Sequence, residues 1–172
     1  MRCWPDYAGR RRVPFPNDLN PITTTNGGTS VDILLVEDNP AHAELVTRSL
    51  EENRIACRIH HVADGEAAID YLMRQGRFTQ PDSSPRPEVI LLDLRLPKVD
   101  GLEVLKTIKT TKDLQRIPVV VLTTSAAEPD VSRAYELHAN SYLVKPIDYA
   151  RFTRLMHQLG FYWLEWNHPP TN

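Results

Sequence analysis

Cysteine is nearly absent from this sequence, and long hydrophobic runs are missing altogether. The 172 residues include two cysteines, Cys3 and Cys57, which cannot form a disulfide framework and fit a reducing compartment. No apolar stretch approaches the roughly 20 residues that span a bilayer. Basic residues are not in excess, because the formal net charge is −2. The composition therefore excludes a disulfide-stapled scaffold and a membrane-spanning helix, and it gives no global basic field for binding nucleic acid.

Glycine is also scarce, with seven residues against 14 prolines, and four of those prolines fall within the first thirty residues. That segment shows no apolar period and no apolar core of a secretory signal. It carries four arginines, including the run Arg10-Arg11-Arg12, against two aspartates. We predict that residues 1–30 form a flexible N-terminal tail.

From Val31 onward, predicted strands alternate with apolar residues at helical spacing. The strands, most of them apolar runs typical of strands covered on both faces, are predicted at 33–36, 57–62, 89–92, 119–122 and 142–144. The helices are predicted at 40–50, 65–74, 102–108, 131–137 and 152–159. This alternation indicates an α/β domain over residues 31–160, with five helices around a doubly wound, five-stranded parallel sheet.

Polar residues stand at the carboxyl ends of four of these strands: Glu37, Asp38, Asp93, Thr123 and Lys145. A parallel sheet brings these ends to one edge, which is where ligands bind in such folds. Close carboxylates repel each other unless a cation neutralises them, and Mg²⁺ takes carboxylate oxygens while leaving positions for phosphate. Lysine and threonine suit phosphate oxygens. The set therefore predicts phosphoryl chemistry with a metal ion.

Asp93 is the best candidate for the nucleophile of this chemistry. No serine or cysteine stands out in a catalytic position, whereas a carboxylate can itself attack phosphorus and form an aspartyl phosphate. Asp93 follows the third strand, and Asp38 and Glu37 are predicted around the metal ion.

Five motifs resemble the receiver domain of two-component response regulators. They are Leu35-Val36-Glu37-Asp38-Asn39, Leu91-Leu92-Asp93-Leu94-Arg95-Leu96-Pro97, Gly101, Leu122-Thr123-Thr124 and Lys145-Pro146. The resemblance covers about Val31 to Leu159 and implies a flavodoxin-like fold with strand order 2-1-3-4-5. It also implies a cytoplasmic signalling protein that takes a phosphoryl group from a sensor histidine kinase or a histidine phosphotransfer protein.

The resemblance assigns roles around the metal ion. It implies that Asp93 is the phosphoacceptor and that Asp38, Asp93 and the backbone carbonyl of Arg95 bind Mg²⁺. Glu37 is expected to act through metal-bound water.

The resemblance also assigns the residues that read the phosphoryl group. Thr123 and Lys145 are each expected to bind a phosphoryl oxygen. Tyr142 matches the aromatic residue that turns inward when the threonine moves. Pro146 follows Lys145 at a place where receivers commonly have a cis peptide bond.

Two other functions are compatible with an acidic site of this kind. A haloacid dehalogenase-type phosphatase also uses an aspartate nucleophile and Mg²⁺, but Arg95 fills the place of its second aspartate and nothing resembles its cap domain. A pseudo-receiver that only binds partners would not need the intact acidic set. The expected chemistry is therefore that of a receiver, namely its own phosphorylation and dephosphorylation, rather than an enzyme acting on a separate substrate.

The chain end carries an aromatic extension over residues 161–172, with Phe161, Tyr162, Trp163 and Trp166 as candidate contacts of a homodimer. The alternative is that this extension folds back on the last helix. The segment is too short for a DNA-binding domain, so a stand-alone receiver acting through protein contacts is expected.

The long loop at 75–87 and the aromatic extension together resemble the small single-domain regulators that pair with bacterial phytochromes. A light-sensing kinase is therefore the expected partner. The six histidines show no metal-ligand spacing, and we expect them to be surface or packing residues.

Overall fold

The computed structural model describes residues 30–52, 57–160 and 162–163. Within them, five parallel strands form one sheet: β1 (Val31–Val36), β2 (Cys57–Val62), β3 (Val89–Leu92), β4 (Val119–Thr123) and β5 (Ser141–Val144). The helices are α1 (Pro40–Glu52), α2 (Gly65–Met73), α3 (Gly101–Thr110), α4 (Glu128–Glu136) and α5 (Tyr149–Gly160). The sheet order is β2-β1-β3-β4-β5, which confirms the predicted α/β architecture and strand order.

Successive residues of the central strands face opposite layers of helices. In β1, Ile33 and Leu35 pack in the core beneath α1 and α5, whereas Leu34 and Val36 pack in the core beneath α2 and α3. Both sets are essentially inaccessible to solvent. The strands are apolar without alternation because helices cover both faces of the sheet.

Helix α4 begins at Glu128, so the predicted start at residue 131 is wrong. Pro129 lies inside its first turn, where a proline is tolerated because the N–H that it lacks would have no partner within the helix. Ala134 is the one side chain of α4 that is buried, whereas α3 buries Val104, Leu105 and Ile108. Helix α4 is therefore held to the core by less apolar surface than α3.

The 75–87 loop contains two 3₁₀ turns, Gly76–Phe78 and Pro81–Ser83. The Tyr71 hydroxyl donates to the Pro85 carbonyl at 2.9 Å, and the buried Ser84 hydroxyl donates to the Phe78 carbonyl at 2.9 Å. The rings of Tyr71 and Phe78 meet edge to face, with centroids 5.3 Å apart. These contacts fix the loop against α2.

The predicted chain ends are only partly covered by the structure. The tail up to residue 29 and the candidate dimer residues Phe161 and Trp166 lie outside the described residues. Tyr162 is exposed, while Trp163 packs against the core beneath α1 and α5, so the alternative, in which the extension folds back, holds for Trp163. In the described parts of the chain, no helix combines the length and apolarity needed to cross a membrane.

Candidate functional site

Four predicted site residues converge at the carboxyl edge of the sheet, and all four are buried: Glu37, Asp93, Thr123 and Lys145. The sheet hydrogen bonds continue past the strand ends and fix the backbone there. The Glu37 N–H donates to Val62, the Asp93 N–H to Val36 and the Lys145 N–H to Thr123. The geometry of the parallel sheet thus places these side chains together, as the sequence predicts.

Lys145 is the cation at the centre of the site. Its ammonium group donates to a carboxylate oxygen of Glu37 and, at 2.5 Å, to Asp93 Oδ2. Buried charges are costly unless they are paired, so this contact compensates much of the cost of enclosing the two acids.

The pKa of Asp93 lies below its ordinary value. Burial on its own raises the pKa of this carboxyl group. The hydrogen bond and the charge of Lys145, together with the Arg95 N–H and the Thr123 hydroxyl, lower the pKa by more than burial raises it. Asp93 is therefore a carboxylate at neutral pH, which is the form a nucleophile requires.

The three acidic side chains fit a divalent cation. One carboxylate oxygen from each of Glu37, Asp38 and Asp93 lies within 4.8 Å of the other two, and Asp38 is exposed while the other two are buried. Three carboxylates against one ammonium leave an excess of negative charge, and an all-oxygen donor set is the one that Mg²⁺ prefers. Mg²⁺ is therefore the cofactor that these residues fit.

Arg95 contacts this centre through its backbone. Its N–H donates to Asp93 Oδ1 at 3.1 Å. The ligand role of its carbonyl oxygen stays a prediction.

Thr123 and Tyr142 are joined through the loop between β4 and α4. Thr123 is fully buried, and its hydroxyl oxygen accepts from the Ser125 N–H at 3.4 Å. The Tyr142 hydroxyl donates to the Ser125 carbonyl at 3.0 Å. Burial raises the pKa of Tyr142, and the bond to Ser125 offsets this only in part. A movement of Thr123 would reach the Tyr142 hydroxyl through Ser125.

The loop between β3 and α3 is fixed by a hydrogen bond across the loop and by ion pairs with residues at the start of α2. The Gly101 N–H donates to the Leu94 carbonyl at 2.9 Å. Lys98, in the left-handed region at φ 64°, pairs with Asp64 at 2.8 Å and with Glu66 at 3.2 Å.

The peptide bond between Lys145 and Pro146, after β5, is trans, so the expected cis bond is wrong.

Two histidines that the sequence interpretation missed lie against Glu37. His42 Nδ1 is 3.3 Å from Glu37 Oε1, and His61 Nε2 is 2.8 Å from the Glu37 carbonyl oxygen. His42 belongs to the first turn of α1, and His61 stands near the carboxyl end of β2. Their position beside the carboxyl edge is the signal that could have identified them.

Asp130 is a further residue that the sequence interpretation missed. Its Oδ2 accepts from Arg95 Nη2 at 2.6 Å and from the Ser125 hydroxyl at 2.5 Å. Arg95 and Asp130 are 35 residues apart, so no local pattern pairs them.

Comparison with known proteins places these residues in a family context. The family model described as "Response regulator receiver domain" matches residues 33–157. The Probable methanogenesis regulatory protein FilR2 of Methanothrix harundinacea is 49% identical over 138 residues, covering 80% of this chain and 86% of that protein. Response regulator Rcp1 of Synechocystis sp. is 47% identical over 133 residues, covering 77% of this chain and 88% of that protein.

Solved structures agree with the sequence matches. The phosphorylated cyanobacterial phytochrome response regulator RcpA aligns with a TM-score of 0.78 and 38% identity, covering 83% of this chain and 100% of that chain. The Mn²⁺-bound form of Rcp1 aligns with a TM-score of 0.77 and 45% identity, covering 82% of this chain and 99% of that chain.

Proposed function

The chain belongs to the response regulator receiver domain family, and we propose that it receives a phosphoryl group on Asp93 from a sensor histidine kinase or a histidine phosphotransfer protein. The observation that carries this proposal is the buried contact of Lys145 with Asp93, beside two further carboxylates that fit a divalent cation. A buried lysine between acids at a sheet edge keeps the nucleophilic carboxylate ionised, and it can also donate a hydrogen bond to a phosphoryl oxygen.

The transfer step uses the ionised Asp93. A carboxylate oxygen attacks phosphorus, the bond between phosphorus and the donor histidine nitrogen breaks, and that nitrogen keeps the electron pair. Asp38, Asp93 and the Arg95 carbonyl would hold Mg²⁺, with Glu37 acting through water, and the ion would neutralise charge on the incoming phosphoryl group.

Phosphorylation then changes the surface of the protein. The phosphoryl group adds negative charge and acceptor oxygens, to which Lys145 and the Thr123 hydroxyl donate. Thr123 is linked to Tyr142 through Ser125, so its movement alters the loop before α4 and the position of Tyr142. Thr123 and Tyr142 act in this proposal as the switch.

The proposal assigns no reaction on a separate substrate to this chain, only its own phosphorylation and dephosphorylation. A pseudo-receiver would not need the acidic cluster around Asp93, and a phosphatase with two aspartates would not have Arg95 at its second position. We place the protein in the cytoplasm, because histidine kinases consume ATP and phosphorylate receivers in that compartment.

A phytochrome-type histidine kinase is the proposed donor. RcpA, whose whole chain aligns with 83% of this one, is a phytochrome response regulator. The long 75–87 loop and the aromatic residues near the chain end are the features of this sequence that led to the same expectation.

The experiment supplies radiolabelled phosphoryl groups from two donors in the presence of Mg²⁺: acetyl phosphate and an autophosphorylated phytochrome kinase. We expect the native protein to be labelled by both, and Asp93→Asn to be labelled by neither. Asp82→Asn, which removes an exposed aspartate of the 75–87 loop, is the matched control and should be labelled like the native protein.

Each donor tests a different part of the proposal. Labelling that persists in Asp93→Asn, or no labelling from any donor, would exclude Asp93 as the phosphoacceptor. Labelling by acetyl phosphate, with none from the phytochrome kinase, would leave the receiver function standing and reject the proposed partner.

We also propose a homodimer formed through α4, β5, α5 and the aromatic extension. The support is a set of exposed apolar side chains on these neighbouring elements: Tyr135, Val144, Ile147, Tyr149 and Tyr162. Large exposed apolar patches on soluble proteins mark interaction surfaces.

A further inference from the structure

We propose that Asp130 is a positioning residue of the phosphoryl site: it holds the Arg95 guanidinium and the Ser125 hydroxyl away from Asp93 and releases them when a phosphoryl group binds. This inference rests on the proposed function of Asp93 and extends it. The contact of Asp130 with Arg95 and Ser125 is called the Asp130 bridge below.

The Asp130 bridge joins three segments at one oxygen atom. Asp130 Oδ2 accepts from Arg95 Nη2 at 2.6 Å and from Ser125 Oγ at 2.5 Å. Arg95 lies two residues beyond Asp93, Ser125 lies two residues beyond Thr123, and Asp130 belongs to the first turn of α4. The bridge therefore ties α4 to both loops that flank the acceptor carboxylate.

The two donors already touch the site through their backbone. The Arg95 N–H donates to Asp93 Oδ1 at 3.1 Å, and the Ser125 N–H donates to Thr123 Oγ1 at 3.4 Å. Only their side chains are engaged by Asp130. A phosphoryl group on Asp93 brings anionic oxygens to the same segments, and guanidinium and hydroxyl groups are donors suited to phosphate. Asp130 and the phosphoryl group therefore compete for the same two donors.

The bridge is weak enough for such a competition. The Arg95 side chain is 61% exposed and the Asp130 side chain 19% exposed, so solvent screens their ion pair. Helix α4 has no side-chain cap at Ala127 and buries only the side chain of Ala134. Its first turn can therefore move at small cost once Asp130 has lost its partners.

The test measures the affinity of the protein for beryllofluoride with Mg²⁺, a mimic of the phosphoryl group, by titration calorimetry. Asp130→Asn removes the competing charge while keeping the shape of the side chain, so we expect beryllofluoride to bind roughly two- to five-fold more tightly, the range of a partly exposed ion pair. Glu128→Gln removes a charge from the same first turn, where Glu128 is exposed, and should bind like the native protein.

A double-mutant cycle identifies the donor that is released. The gain from Asp130→Asn should become smaller when Arg95 is replaced by Met, because only the Ser125 hydroxyl is then available to the phosphoryl mimic, and it should disappear when Ser125 is replaced by Ala as well. Arg95→Met alone should bind beryllofluoride more weakly than the native protein, and this variant keeps the proposal testable if Asp130→Asn does not fold. Amide hydrogen exchange should rise at residues 125–131 of the native protein when beryllofluoride is added.

The outcomes separate this inference from the proposed function. If the native protein binds beryllofluoride through Asp93 and the affinity is unchanged in Asp130→Asn, the role of Asp130 is overturned and the proposed function stands. An equal gain in Glu128→Gln, or a gain of undiminished size in the Arg95→Met background, overturns the role of Asp130 as well. Native protein that binds no beryllofluoride overturns both the inference and the proposed phosphoacceptor.

Discussion

Gly101 shows how a residue without a side chain fixes the acceptor carboxylate. A Cβ atom at this position would lie 2.3 Å from the carbonyl oxygen of Asp93 and 2.5 Å from Cα of Leu94. Both neighbours are backbone atoms, which cannot rotate away. The start of α3 can therefore approach the Asp93 segment only because residue 101 is glycine.

We predict that Gly101→Ala lowers the free energy of unfolding by about 1–3 kcal/mol, because overpacking against backbone forces the loop after Asp93 to shift. Urea unfolding measures the change. Gly76→Ala is the comparison, since its Cβ meets only the Asp70 side chain, at 3.1 Å, and its cost comes from a positive φ of 54°. A larger loss for Gly76→Ala than for Gly101→Ala would contradict the backbone clash.

The strand-end residues could be predicted from the sequence, whereas their side-chain partners could not. Asp93 and Lys145 follow strands that any parallel sheet aligns at one edge, so their meeting depends only on recognising the strands. His42 and Asp130 lie in first helical turns and His61 lies near the end of β2, and their contacts depend on how single side chains are directed at those places. No periodicity in the sequence carries that information.

At the scale of elements, the 75–87 loop is held in place by local contacts that the sequence analysis did not predict. Its two 3₁₀ turns were not predicted, because single turns leave no apolar period. The Tyr71 hydroxyl holds the loop through the Pro85 carbonyl. Burial, with a further contribution from the charge of Asp32, raises the pKa of Tyr71 to about 12.

Tyr71→Phe should therefore lower the free energy of unfolding at neutral pH by about 1 kcal/mol, the value of one lost hydrogen bond. The pKa of Tyr71 is raised in the folded protein, so its contribution is complete below about pH 10, the ordinary tyrosine value, and is lost as the pH rises through about 12. Urea unfolding at a series of alkaline pH values should show a shallower decline for Tyr71→Phe. The free energy of unfolding of Tyr149→Phe, which changes an exposed position, should decline with pH like that of the native protein. A decline that matched Tyr71→Phe instead would contradict the role of the hydrogen bond between Tyr71 and Pro85.

At the scale of the whole molecule, the proposed dimer predicts a mass in solution of twice the 19.6 kDa chain. Ile147→Asp puts a charge on the most exposed apolar side chain of the proposed interface and should shift the mass measured by light scattering toward one chain. Met73→Asp places the same charge on an exposed residue of α2 and should leave the mass unchanged. A native monomer, or a dimer that tolerates Ile147→Asp, would reject the interface.

The contacts of Lys145 with Glu37 and Asp93 have a consequence for the life of the chain during synthesis. They join residues 108 and 52 positions apart, and the lysine follows the last strand of the sheet. A nascent chain leaving the ribosome therefore exposes its acidic residues well before it can offer them the lysine. The phosphoacceptor site is complete only after the final strand has been added, so an unfinished chain lacks the lysine that the site requires.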